Sequence, residues 1–147
     1  MNNVKEETFK RAEGKLYNYN RLKAEIKYLN LEIKKKENSY LGCKFGVYTE
    51  RTSQTYNISS SVENEIMRKE KEIEKIRREV ESKEILIEKI DNAMSLLNEE
   101  EITLVQYRYF SKKNNSWGYI ADSIGFSVTR CKQMRIEIIN KVKDLLG

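Results

Sequence analysis

The chain has 147 residues, 35% of them charged, with no proline, six glycines and a formal net charge of +5. That length holds one domain, or one small domain joined to an elongated helical module. Lys and Glu alternate under a regular apolar pattern, which points to solvated helix faces and away from disorder, even at a mean hydropathy of −0.74.

There is no histidine, which removes the commonest general base and the commonest zinc ligand together. Cys43 and Cys131 are far apart in sequence, and neither a phosphate-cradling glycine loop nor a nucleophile–base pair is visible. No metal, no cofactor and no enzymatic activity are expected. No run approaches the roughly 18 apolar residues of a membrane span, and the polar start "MNNVKEETFK" does not read as a signal peptide. A cytoplasmic protein with no membrane partner is expected. The positive charge permits contact with a polyanion without demanding it.

Residues from about 4 to 38 read as one long helix, because Leu16, Tyr19, Leu22, Ile26, Leu29 and Ile33 recur at three- and four-residue steps. Residues 39–60 break this pattern with Gly42, Gly46 and a polar run. Phe45 and Val47 against Tyr56 and Ile58 suit a short β-hairpin, and a plain connecting loop suits the segment as well. Ser60 or Ser61 then caps a second long helix, about 61 to 97, with Glu63 in capping-box position to Ser60.

The seam of that second helix is Val62, Ile66, Lys69, Ile73, Ile76, Val80, Lys83, Ile87, Ile90, Met94 and Leu97. Nine of these eleven positions are apolar against 39% for the whole chain, which marks a coiled coil. The first helix carries ten basic and six acidic residues, the second eight basic and ten acidic. Similar length and offset charge favour an antiparallel coiled-coil hairpin over residues 1–97. A parallel oligomer through the second helix stays open, as does a homodimer of hairpins.

From residue 98 to 147 the character changes. Asn98 suits a helix cap before the acidic first turn Glu99, Glu100 and Glu101. Ser116 suits a second cap, with Trp117, Ile120, Ala121 and Ile124 inward. Gly125 suits a left-handed turn, and Ser127 a third cap, before a helix whose Cys131, Met134, Ile138 and Val142 share a face. A short helix, a glycine turn and a longer capped helix make a helix-turn-helix. The fold class expected is therefore all-α, a long antiparallel coiled-coil hairpin followed by a C-terminal helix-turn-helix domain.

Within 128–143 five basic residues (Arg130, Lys132, Arg135, Lys141 and Lys143) face one acid, Glu137, where a recognition helix would enter a major groove. Val128, Thr129, Arg130, Lys132 and Gln133 are the candidates for reading bases, Gln suiting adenine, Lys guanine and Val a thymine methyl. Lys112, Lys113, Ser116, Ser127 and Arg135 are the candidates for phosphates. Trp117 and Cys131 read as core residues.

The string "LNEEEITLVQYRYF…SWGYIADSIGFSVTRC" resembles the region 4 helix-turn-helix of sigma-70-type factors. Leu97, Arg108-Tyr109-Phe110, Ser116-Trp117, Ile120-Ala121, Gly125 and Ser127 carry the likeness, with Ile124 where leucine is usual. The long helices before this module resemble small phage-encoded regulators of the ArpU/RinA type. The resemblance implies promoter DNA as partner, read by Thr129, Arg130, Lys132 and Gln133, and contact with RNA polymerase. A complete sigma factor also needs a separate aromatic-rich promoter-melting domain, and the chain's only Trp lies in the C-terminal module. The function expected is a phage or prophage sequence-specific transcription regulator bound to double-stranded DNA. A small terminase subunit or packaging adaptor is the first alternative, and a protein-binding polymerase adaptor the second.

Overall fold

The computed structural model describes residues 2–47 and 56–147, and the side chains of 2–39 and 61–147. Among the described residues the protein is all helical, with no strand: α1 (Asn2–Tyr17), α2 (Tyr19–Val47), α3 (Tyr56–Met94), α4 (Glu99–Val105), a single π-helical turn (Gln106–Phe110), α5 (Trp117–Ile124) and α6 (Val128–Leu146).

The expected first helix is present as α1 and α2, parted at Asn18. The parting is slight, because Asn18 donates to the Gly14 carbonyl at 3.1 Å and Leu22 to the Asn18 carbonyl at 2.8 Å, both i→i−4 bonds. At its far end the helix runs on through Gly42 and Gly46 to Val47. A glycine weakens a helix by about 1 kcal/mol without forbidding it. The next helix starts at Tyr56, ahead of Ser60 and Ser61. Phe45, Val47, Tyr56 and Ile58 are thus helical and form no β-hairpin. The rest of that connection, 48–55, lies outside the described residues.

The chain forms two compact units, Met1–Lys23 with Ile85–Gly147, and Ala24–Glu84. The boundary expected at residue 97 falls elsewhere, because α1 and the end of α3 build one core with the C-terminal helices. Ala12 and Leu16 of α1, Ile90 and Ala93 of α3, Leu104 and Val105 of α4, Ile120 of α5 and Cys131, Ile138, Ile139 and Val142 of α6 share that cluster, each at 0–1% exposure. Burial of this extent stabilises by roughly 1.5–3 kcal/mol per large aliphatic side chain.

In the Ala24–Glu84 unit, α2 and α3 run antiparallel. Lys36 of α2 pairs with Glu72 of α3 at 3.2 Å, and Glu25, earlier on α2, pairs with Lys83, later on α3, at 2.8 Å. Ile33, Ile73 and Val80 are the buried residues between them, flanked by Ile26, Leu29 and Ile76. All eleven positions of the expected α3 seam are buried or half-buried, including its two lysines. Lys83 reaches Glu25 at 2.8 Å and Glu79 at 3.9 Å from its half-buried seam position.

Candidate nucleic-acid interface

The C-terminal helices are set by local chemistry. Asn98 accepts from the Glu101 amide at 2.9 Å while its own amide donates to the Glu101 carboxylate at 3.4 Å, a complete capping box. Ser116 Oγ accepts from the Tyr119 amide at 3.2 Å and starts α5. Gly125 ends α5 at φ 86°, a left-handed conformation suited to glycine. Its amide and that of Phe126 both donate to the Ala121 carbonyl, at 2.9 and 3.2 Å. Two residues on, Ser127 Oγ accepts from the Arg130 amide at 3.1 Å and opens α6.

This turn fixes which residues of α6 are left outward. Cys131, Met134, Ile138, Ile139, Val142 and Leu146 are buried, while Val128, Thr129, Arg130, Lys132 and Gln133 are all exposed. The five candidate base readers therefore share the open side of the first two turns of α6. Lys132 makes no ion pair among the described residues. Arg130 pairs with Glu137 at 3.1 Å, but both side chains are about half exposed, 46% and 53%. Water competes freely for such a pair, so it holds Arg130 only weakly.

The candidate phosphate ligands divide. Lys112, Lys113, Ser116 and Ser127 are exposed. The turn carrying the two lysines is pinned from beneath: Asn115 Nδ2 donates to the Tyr107 carbonyl at 2.9 Å, and Arg108 donates to the Asn115 carbonyl at 3.3 Å. The Arg108 guanidinium also lies 4.5 Å from the centre of the Trp117 ring, a cation–π contact. Trp117 is accordingly half-buried rather than fully core.

Arg135 departs from its expected role. Its Nε and Nη2 donate to the two oxygens of Glu13 at 2.5 and 2.9 Å, a side-on fork across 122 residues of sequence. The Tyr109 hydroxyl donates to the same carboxylate at 2.7 Å. The bonds from Arg135, reinforced by Tyr109, hold the Glu13 carboxyl below its ordinary range against the opposing effect of burial. Burial, with Glu13 beside it, pushes the Tyr109 phenol up. Arg135 thus ties α6 to α1 and is not offered to a phosphate.

Lys141 is likewise withdrawn, donating to Glu101 at 2.7 Å. Glu101 is 4% exposed, with one carboxylate oxygen buried and unpartnered. The capping role of Glu101 follows from the sequence spacing; its burial does not, because no local signal tells that α6 crosses above it. Glu13 and Tyr109 are missed for the same reason, their partners being distant in sequence. Among the described residues no group of three or more His, Cys, Asp or Glu can hold a metal ion, and no helix is long and apolar enough to cross a membrane.

No protein-family model, no curated protein and no solved structure matches the chain.

Proposed function

We propose that the protein is a sequence-specific DNA-binding transcription regulator, phage or prophage encoded and acting at promoters together with RNA polymerase. In this reading α5 and α6 form a helix-turn-helix, and α2 with α3 forms an antiparallel coiled-coil hairpin. The observation that carries it is the α6 start: beyond a left-handed Gly125 and a Ser127 cap, Val128, Thr129, Arg130, Lys132 and Gln133 stand exposed together. Exposed Lys and Gln on the first turns of a capped helix match the hydrogen-bonding edges of guanine and adenine. Lys112, Lys113, Ser116 and Ser127 supply the phosphate contacts that fix orientation.

Random-library selection with the purified protein at two salt concentrations, followed by fluorescence anisotropy on the enriched duplex, tests this. Lys132→Ala and Gln133→Ala are each expected to weaken the selected duplex by about 1–3 kcal/mol while leaving random DNA nearly unaffected. Failure of any duplex to be preferred over random DNA defeats the reading.

One observation favours a second reading, a polymerase adaptor that docks through protein contacts. Arg135 and Lys141 are engaged by Glu13 and Glu101, which leaves the outer face of α6 less basic than its composition suggests. Weak and salt-insensitive DNA binding beside retention of RNA polymerase would favour it.

A further inference from the structure

We infer that one face of the antiparallel α2–α3 pair is a self-association surface, taking a second copy of this chain across a two-fold axis parallel to the helices. The reasoning starts from four residues. On α2, Lys27 and Lys34 each follow a seam residue, Ile26 and Ile33; on α3, Glu74 and Glu81 each follow one, Ile73 and Val80. A step of one residue turns about 100° round a helix. The same turn taken on two antiparallel neighbours leads to the same face of the pair. That face therefore carries a basic row along α2 beside an acidic row along α3.

All four side chains are exposed. Lys27, Lys34 and Glu81 have no ion pair among the described residues, and Glu74 has only the exposed Arg78 one turn along its own helix, at 3.2 Å. The charge segregation extends further along α2. Between residues 24 and 39 its exposed charged residues are Lys27, Lys34 and Lys35, while its acids Glu25, Glu32 and Glu37 are half-buried. Glu25 and Glu37 are turned toward α3, pairing with Lys83 and Arg77.

The register makes the face complementary to itself. With Lys36 opposite Glu72 and Glu25 opposite Lys83, each step forward on α2 is a step back on α3, so Lys27 stands level with Glu81 and Lys34 with Glu74. A two-fold axis parallel to the helices keeps every residue at its own level and exchanges left for right. It lays Lys27 and Lys34 of one copy over Glu81 and Glu74 of the other, and the reverse. A two-fold axis lying across the helices sets lysine row over lysine row and is disfavoured. Charge rows of this kind fix orientation and register more than strength.

Sedimentation equilibrium of the full chain tests the inference separately from DNA binding. The unaltered protein is expected to form a dimer at micromolar concentration that weakens as salt rises. Lys27→Glu with Lys34→Glu, and separately Glu74→Lys with Glu81→Lys, are each expected to raise the dimer Kd about tenfold or more. An equimolar mixture of the two variants should recover association as a heterodimer, since each then meets its opposite. The milder Lys27→Gln with Lys34→Gln variant, checked by circular dichroism for unchanged helicity, separates loss of contact from loss of fold. A monomeric unaltered protein overturns the inference and leaves the basic row to a foreign acidic partner. A dimer indifferent to both charge reversals, or variants that fail to recover on mixing while remaining helical, overturns it equally.

Discussion

The two compact units hold their charges in opposite ways. In the unit of α2 and α3, two helices meet along one seam, so the best-covered residues, Ile33, Ile73 and Val80, remain 7–9% exposed. Its ion pairs, those of the seam lysines Lys69 and Lys83 included, each keep one side chain at least 34% exposed, in reach of water. In the unit containing α1 and the C-terminal helices a third layer closes over the core. Leu16, Leu104, Ile120 and Ile138 reach 0% exposure, and Glu13, Arg135 and Tyr109 are drawn into one hydrogen-bonded cluster. The same alphabet of Ile, Leu, Lys and Glu therefore yields solvated charge where two helices pack and partly buried, specific charge where several do. The number of packed layers, more than composition, decides what a charge does.

This contrast can be broken most directly by cutting equal side chains from each unit. Ile138→Ala is expected to destabilise by about 3–5 kcal/mol, because its site is enclosed on all sides and cannot collapse. Ile73→Ala, beside open solvent, should fall nearer about 2 kcal/mol. Urea denaturation of both variants checks the difference, and equal losses would sink the layer argument.

Arg135→Ala should come next, at about 1–3 kcal/mol. It strands a Glu13 carboxylate whose side chain is only 14% exposed, with Arg135 itself 31% exposed and so partly screened. By contrast Arg77→Ala removes a 2.5 Å pair to Glu37 in which the two side chains are 61% and 44% exposed. It should change stability by no more than about 0.5 kcal/mol. Thermal melts of the two variants side by side separate the two kinds of charge.

Gly125→Ala isolates a smaller, purely backbone effect. Nothing lies within 4 Å of an added Cβ, yet φ is +86°. The expected loss is about 1–2 kcal/mol from the left-handed conformation alone. Gly125→Asn should recover part of it, since Asn tolerates this region better.

Acid sharpens the comparison without a large substitution. Arg135 and Tyr109 hold the Glu13 carboxyl below its ordinary value of 4.5. A depressed carboxyl contributes stability that is fully present above the unfolded value and is lost as pH falls through the folded one. Stability should therefore decline below pH 4.5, and Glu13→Gln should remove that part of the decline while lowering stability at neutral pH. Melting temperature followed against pH in both proteins measures it. Parallel curves would mean that Glu13 is not the group titrating.

Much of this protein is written locally. The stripe from Leu16 to Ile33, the α3 seam, the Asn98, Ser116 and Ser127 caps and the Gly125 turn each depend on residues three or four apart, and each is legible as spacing. So is the exposure of Val128, Thr129, Arg130, Lys132 and Gln133, since Cys131 and Met134 fix the inward side of α6. What tertiary structure alone decided is which elements share a core and which charges remain free. Arg135 reads on the sequence as one more outward basic residue; it becomes a tie because α1, more than a hundred residues earlier, brings Glu13 beside it. Lys141 and Glu101 meet in the same way. Periodicity assigns a residue to a face of its helix, but the neighbour waiting at that face is set by how helices distant in sequence pack.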